Sequence, residues 1–124
     1  MAEKYDYREV MKEDIREWID ENLEYITDGN GIDRESCYDQ MWIADSVTGN
    51  GSGSYTFNTA RAKEYVEMNF DLAMQAYKEF GCLEKLMEDI EEEHWEAIDV
   101  SIRCYLLGEF CDSIIEEFER GHKA

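Results

Sequence analysis

The first part of the chain carries apolar residues at every third or fourth position. Between Tyr7 and about Ile26 these residues are Met11, Ile15, Trp18, Ile19, Leu23 and Ile26. This spacing predicts an amphipathic helix with one buried stripe. A basic row flanks the stripe and an acidic row lies beside it, formed by Lys4, Arg8, Lys12 and Arg16 and by Glu9, Glu13, Glu17 and Glu21. We therefore expect opposite charges three or four positions apart to support this helix.

The segment "TDGNGID" (27–33) ends the first helix, and a shorter second helix is expected to follow it. Asp33 is a suitable N-cap for a helix that runs through Cys37, Tyr38, Met41 and Trp42 to about Ala44. The stretch "MWIADSV" also fits a strand, so the pattern leaves both interpretations open.

A glycine-rich segment, "SVTGNGSGSYTFN" (46–58), separates the second helix from a long third one. Asn58 or Thr59 is expected to cap the third helix, and Gly81 lies just past its end. The residues expected to face inward are Val66, Phe70, Ala73, Tyr77 and Phe80.

The rest of the chain predicts a short acidic helix and a long apolar one. The short helix covers residues 83 to about 91 and carries Leu83, Leu86, Met87 and Ile90. The last helix covers roughly residues 95 to 119, ends at Gly121 and should be the most buried element. Its inward residues are expected to be Val100, Cys104, Leu107, Cys111, Ile114 and Phe118, with Ile102, Leu106, Phe110 and Ile115 widening the buried face.

These elements predict an all-α fold, a single-domain bundle of four to five helices over residues 1–124. The glycine-rich segment is expected to form a long loop between the second and third helices. Tyr55 and Phe57 are expected to attach that loop to the core.

Composition changes the picture mainly through charge. The chain has 124 residues with 31 acids against 12 bases, a net charge of −19, and an apolar content of 44%, which is enough for one hydrophobic core. Free nucleic acid and anionic membranes should be repelled by this charge, whereas basic protein surfaces should be attracted.

The N-terminal residues and the cysteines indicate a cytoplasmic protein. The segment "MAEKYDYREV" lacks the apolar core of a signal peptide, and no stretch is long and apolar enough to span a membrane. Cys37, Cys82, Cys104 and Cys111 lack C-x-x-C spacing, and we expect free thiols. Cys104 and Cys111 lie on one helical face and are interpreted as core residues rather than ligands.

The glycine-rich loop lacks both phosphate-binding motifs that it resembles in composition. A P-loop requires lysine and a hydroxyl residue after its last glycine, but Ser54 and Tyr55 follow Gly53. The G-x-G-x-x-G fingerprint is also absent. A small-anion site remains possible, formed by Gly49, Gly51, Gly53, Ser54, Arg61 and Lys63 at the start of the third helix. The alternative is a helix connection with no ligand.

The sequence contains no pattern typical of a metal site or of catalysis. His94 and His122 are the only histidines, and "EEEH" (91–94) is a single copy of a motif that a two-metal carboxylate centre needs twice. We therefore predict no enzymatic activity, no cofactor and no bound metal.

Acidic residues concentrate in the last third of the chain. Residues 82 to 119 contain 13 acids against only two bases, Lys85 and Arg103, so we expect these acids not to be neutralised locally. The first cluster comprises Glu84, Glu88, Asp89, Glu91, Glu92, Glu93, Glu96 and Asp99. The second lies on the outer face of the last helix and comprises Glu109, Asp112, Glu116, Glu117 and Glu119. The candidate partner-binding residues are Glu84, Glu88, Asp89, Glu92, Glu96, Glu109, Asp112 and Glu116.

Acids four positions apart on a helix lie about 6 Å apart along its axis. DNA presents a phosphate about every 3.4 Å on each strand. Two or more adjacent acidic rows would therefore be needed to imitate it. The alternative is a solvated face that only keeps the protein soluble.

Two segments, "DSVTGNGSGSYTFNT" (45–59) and "DVSIRCYLLGEF" (99–110), resemble small uncharacterised proteins of phages and mobile elements of Gram-positive gut bacteria. That group implies no activity and no site residues. In composition the chain is also similar to phage anti-restriction and anti-CRISPR proteins, which are short and acidic and block DNA-binding enzymes at their basic grooves. This likeness is one of class, with no shared motif.

The function that these observations favour is that of a non-enzymatic acidic binding protein. It would occupy a basic, nucleic-acid-binding surface of a partner such as a Cas nuclease or a restriction enzyme. One alternative is a structural module that forms a homodimer through exposed Trp and Tyr side chains. Another is a small-anion-binding protein that uses the glycine-rich loop.

Overall fold

The computed structural model describes residues 5–29, 31–44, 47–48 and 59–121. Within these residues the chain forms six helices: α1 (Tyr7–Ile26), α2 (Arg34–Trp42), α3 (Thr59–Met68), α4 (Phe70–Glu79), α5 (Leu83–Glu91) and α6 (Trp95–Gly121). The only strands in the described part are β1 (Thr27–Asp28) and β2 (Gly31–Ile32), two residues each. The all-α prediction is confirmed, although six helices exceed the four to five expected. Most of the predicted glycine-rich loop, with Tyr55 and Phe57, lies outside the described residues.

Helix α1 has the predicted bounds and the predicted buried stripe. Asp6 caps its first turn by accepting hydrogen bonds from the N–H groups of Arg8 and Glu9 at 3.0 and 3.4 Å. The apolar stripe packs inward, and Met11, Ile15 and Ile19 are fully buried. Its described charged rows contain one ion pair within the helix, between Glu9 and Lys12 at 4.0 Å. Burial of the stripe therefore contributes more to α1 than these charges do.

The break after α1 is a short antiparallel turn. Thr27 pairs with Ile32, and Asp28 pairs with Gly31. Gly31 has φ of +116°, and a Cβ there would lie 3.1 Å from a Glu119 carboxylate oxygen, so glycine is needed. Asp33 caps α2 as predicted by accepting from the Ser36 N–H at 3.1 Å. Because α2 continues through Trp42, the strand interpretation of "MWIADSV" is wrong.

The predicted long third helix is two helices, and Asn69 separates them. The Asn69 side chain donates hydrogen bonds to the backbone oxygens of Tyr65 at 2.9 Å and Tyr5 at 2.8 Å. Its backbone leaves helical geometry, with φ of −126° and ψ of 38°. Phe70 and Phe80, expected to face inward, are exposed, whereas Val66, Ala73 and Tyr77 are buried as expected. Leu72 and Ala76 are buried in α4 as well.

Helix α6 is the central element of the bundle and packs against each of the other five helices. Its bounds and those of α5 match the predictions. Val100, Phe110 and Phe118 are only half-buried. The buried apolar positions of α6 are Ile98, Ile102, Cys104, Leu106, Leu107, Cys111, Ile114 and Ile115. A fully buried side chain of this size stabilises the fold by about 1.5–3 kcal/mol. In the described part of the chain, no helix has the length and apolarity that crossing a membrane requires.

Candidate protein-binding surface and buried charge network

Six exposed glutamates lie on α5, on the turn after it and in the first turn of α6. We call them the α5 acidic surface: Glu84, Glu88, Glu91, Glu92, Glu93 and Glu96. The first three follow an i, i+4, i+7 spacing, which places them in one row along α5. Five of the six form no ion pair with any described residue, and Glu92 lies 3.5 Å from Nδ1 of His94. Lys85 is the one lysine or arginine on α5, and it contacts Asp89.

Asp89, predicted to bind a partner, is instead an interior residue with 2% of its surface exposed. It accepts a hydrogen bond from the Tyr77 hydroxyl at 2.7 Å, which joins α5 to α4. Lys85 Nζ and His94 Nδ1 lie 3.8 and 3.4 Å from its carboxylate. Burial and the nearby Asp89 raise the pKa of Tyr77, so the phenol stays protonated and donates. Asp89 therefore stabilises the fold and is removed from the candidate binding residues.

Asp99 also belongs to the interior, where it pairs with Arg103. Both residues are buried, and Arg103 Nε donates to Asp99 at 3.0 Å. The Tyr7 hydroxyl donates to the other Asp99 oxygen, and Arg103 Nη2 donates to the Tyr5 hydroxyl at 2.6 Å. Burial and Asp99 raise the pKa of Tyr7, which keeps its proton on the phenol. This network connects α6 to α1 through charge-assisted hydrogen bonds.

Asp14 on α1 lies at the edge of the same network. Its carboxylate is 3.8 Å from Arg103 Nη1, and a quarter of the side chain is exposed. Burial raises the pKa of Asp14 from 3.8 to about 6, because desolvation of the carboxylate outweighs the attraction of Arg103. Glu17 and Glu13 raise it further. The charged form of Asp14 is therefore disfavoured in the fold.

The acids near the end of α6 are compensated by arginines from other helices. We call this the α6 acidic surface: Asp112, Glu116, Glu117 and Glu119. Arg34 on α2 contacts Asp112 at 3.5 Å, Glu116 at 3.6 Å and Glu119 at 3.0 Å. Arg16 on α1 contacts Glu117 at 3.1 Å. The hydrogen bonds raise the pKa of Arg34 and lower that of Glu117. The expectation that these acids lack local neutralisation is therefore wrong.

Glu109 differs from the other predicted acids of α6. It is exposed and lies one turn after Tyr105 on the same helix. Burial and Glu109 together raise the pKa of Tyr105. In the part of the chain that the structure describes, Glu109 meets no basic side chain within 4.0 Å.

The predicted anion site lies mostly outside the described residues, which exclude Gly49, Gly51, Gly53 and Ser54. Its two basic residues are described, and both contact neighbours. Arg61 pairs with Glu64 at 3.2 Å and lies over the Tyr65 ring at 5.7 Å. Lys63 lies over the Trp95 ring at 5.8 Å. The positive charge of Arg61, which would attract an anion, is thus partly offset by the carboxylate of Glu64.

The four cysteines are free thiols, and Cys104 and Cys111 are buried in the core, both as predicted. Cys37 on α2 and Cys111 on α6 are neighbours in the core, and the interaction between the two thiols raises the pKa of Cys37 and lowers that of Cys111. Burial raises the pKa of Cys104 to about 12, which keeps it a neutral core thiol. Among the described residues, no three His, Cys, Asp or Glu side chains are grouped to hold a metal ion.

The aromatic residues proposed for a dimer interface are mostly half-buried. Trp18, Trp42 and Trp95 pack against the hydrophobic core. Tyr25, at the end of α1, has 79% of its surface exposed.

Sequence reasoning missed the buried pair although one signal was present. Arg103 lies between Ile102 and Cys104 in an apolar stretch, and Asp99 lies four positions before it, the spacing of a helical ion pair. No comparable signal links Arg34 or Arg16 to the acids of α6, since more than 75 residues separate the partners.

Comparison with known proteins gives no relative from which a function could be transferred. No family model matches the chain, and no curated protein or solved structure is significantly similar to it.

Proposed function

We propose that this protein is a non-enzymatic acidic binding protein whose α5 acidic surface docks on a basic surface of a partner protein. The observation that carries the proposal is the set of six exposed glutamates, five of which form no ion pair with any described residue. The single lysine on α5, Lys85, contacts the buried Asp89 instead of these glutamates. A basic protein is therefore attracted at long range, and its Lys and Arg side chains find carboxylates without existing ion pairs.

The proposal gives different weight to the two acidic surfaces. Asp112 and Glu116 already contact Arg34, so a partner would have to compete with an existing ion pair there. Glu84, Glu88, Glu92 and Glu96 have no contact to a lysine or arginine to give up. The α5 acidic surface is the primary docking surface, and the α6 acidic surface is peripheral to it.

The partner that fits this surface best is a protein that itself binds nucleic acid. Its basic groove is built for closely spaced phosphates, and the turn after α5 and the first turn of α6 add Glu92, Glu93 and Glu96 to the row on α5. These additional positions supply the second line of charge that a single helical row lacks. A Cas nuclease or a restriction enzyme is a partner of this kind, as the class likeness to phage inhibitors suggests.

A capture experiment with two matched variants tests the proposal. The first, the α5 triple variant, carries Glu84→Gln, Glu88→Gln and Glu91→Gln. The second, the α1 triple variant, carries Glu17→Gln, Glu21→Gln and Glu24→Gln, three exposed residues with the same i, i+4, i+7 spacing. The immobilised proteins are exposed to bacterial lysate at low salt, and bound proteins are identified by mass spectrometry.

We expect the unmodified protein and the α1 triple variant to capture the same nucleic-acid-binding proteins. The α5 triple variant should capture at least about tenfold less of these proteins, because removal of three close charges weakens steering and docking. Each captured protein is then tested for loss of binding to labelled DNA when the acidic protein is added. Equal capture by all three proteins would contradict a specific role of α5, as would no capture by the unmodified protein.

A further inference from the structure

Helix α5 exposes an apolar row directly beside its glutamate row. Leu83 is 43% exposed and Met87 is 58% exposed, one helical turn apart. Their neighbour Leu86 is buried in the core, whereas Leu83 and Met87 leave a large part of their side chains in solvent. Phe80, three residues before Leu83, is exposed as well. Large apolar side chains grouped in this way on a small surface are typical of contact sites.

The apolar and acidic rows run side by side along the helix. Glu84 and Glu88 each follow one of the apolar residues by a single position, which turns them about 100° around the helix axis. Glu91 continues the acidic row beyond Met87. A partner that contacts Leu83 and Met87 thus places its flanking side chains within reach of these glutamates.

Helix α1 shows that this pairing of rows is not a general property of the acidic helices. Its Glu17, Glu21 and Glu24 repeat the spacing of the α5 row and are equally exposed. However, Arg16 and Asp20 occupy two of the positions that precede them. Over its whole length α1 exposes one large apolar residue, Tyr25.

We infer that the α5 acidic surface binds an amphipathic basic helix of the partner, an inference that rests on the proposed function. Apolar residues of that helix would cover Leu83 and Met87, and Lys or Arg residues on its flanks would meet Glu84, Glu88 and Glu91. The unbranched side chain of Met87 adapts to differently shaped apolar partners. The negative charge of the glutamates favours a basic helix over other binding partners. A second copy of this chain would bring its own glutamates, and nucleic acid would bring phosphates to the same place.

The test uses two synthetic peptides of identical Leu and Lys content. One places Leu at i, i+3, i+4 and i+7, and its isomer scatters the same residues so that no apolar face forms. Binding of each labelled peptide is measured by fluorescence anisotropy at low salt. The protein variants are the two triple variants described above and Leu83→Ser/Met87→Ser, which keeps every charge.

We expect the unmodified protein to prefer the amphipathic peptide about tenfold. The α1 triple variant should keep this preference, and Leu83→Ser/Met87→Ser should bind both peptides equally. Equal binding of the two peptides by the unmodified protein would overturn the inference. A different result would contradict the proposed function itself: the α5 triple variant would bind both peptides as tightly as the unmodified protein does.

A second measurement does not depend on any variant. The methyl resonance of Met87 is followed by NMR during titration, with the buried Met11 and Met41 as internal controls. The amphipathic peptide should shift the Met87 signal, and the isomer should leave it in place. An unmoved Met87 signal in the presence of bound amphipathic peptide would also overturn the inference.

Discussion

The two acidic surfaces of this protein differ in what lies opposite them. The α6 acidic surface meets Arg16 and Arg34, which α1 and α2 bring against the last helix. The α5 acidic surface meets no arginine in the described part of the chain, and the one lysine on α5 contacts the buried Asp89. Both surfaces are dense in acids along the sequence. The difference teaches that acid density alone does not identify a binding surface, because compensation by other helices decides which charges remain available.

Two acids of the same region belong to neither surface. Asp89 and Asp99 are buried and hydrogen-bonded to tyrosines, and Asp99 also pairs with Arg103. Buried and surface pairs should respond very differently when an arginine is removed. The largest expected effect therefore comes from the interior, and the smallest from the α6 acidic surface.

Substitution of the buried arginine should give the largest loss of stability. Arg103→Met leaves Asp99 charged and without its cation in the core, which costs about 3–5 kcal/mol of unfolding free energy. Urea denaturation followed by circular dichroism measures this loss. The double variant Asp99→Asn/Arg103→Met should lose less than the sum of the two single variants, because the uncompensated charge is then gone. A loss below about 1 kcal/mol for Arg103→Met would show that the pair is not buried in solution.

Asp14 should make the free energy of unfolding depend on pH, and this effect should lie between those of the buried and the surface arginine variants. Its pKa is about 6 in the fold and 3.8 ordinarily, so the folded protein holds more protons between these values than the unfolded chain does. The unfolding free energy therefore falls as pH rises through this window and becomes level above it.

The variant Asp14→Asn isolates this contribution from the other acids. The side chain is a quarter exposed, which reduces the effect expected from the full pKa shift. From pH 5 to pH 7.5 the unmodified protein should lose about 1 kcal/mol relative to Asp14→Asn. Parallel stability curves for the two proteins across this range would contradict the raised pKa.

Substitution of the surface arginine should give the smallest effect. Arg34→Met removes the same charge as Arg103→Met but leaves Asp112, Glu116 and Glu119 in water. We expect Arg34→Met to lose much less stability than Arg103→Met. The loss caused by Arg34→Met should disappear at high salt, because exposed ion pairs are screened. Denaturation curves at low and high salt compare the two variants directly. A loss as large as that of Arg103→Met would remove the distinction between surface and buried pairs.

Helix positions were predictable wherever the signal is local. The bounds of α1, α5 and α6 and the Asp33 cap of α2 follow from apolar periodicity and capping residues. Asn69 was missed because the periodicity continues through it. Its side chain ends α3 by bonding the backbone of Tyr65 and Tyr5, and Tyr5 lies in a distant part of the chain. The predicted burial of Phe70 and Phe80, the residues at the two ends of α4, is also wrong.

The acidic residues of the candidate site could be predicted from the sequence, but which of them are exposed and unpaired could not. The helical class, the strong negative charge and the acidic row Glu84, Glu88 and Glu91 follow from residue type and spacing alone. The packing of the helices places Asp89 and Asp99 in the interior, brings Arg34 to Asp112 and Glu116, and sets Cys37 beside Cys111. Burial and ion pairing depend on which helix packs against which, and those contacts join residues that are far apart in the chain.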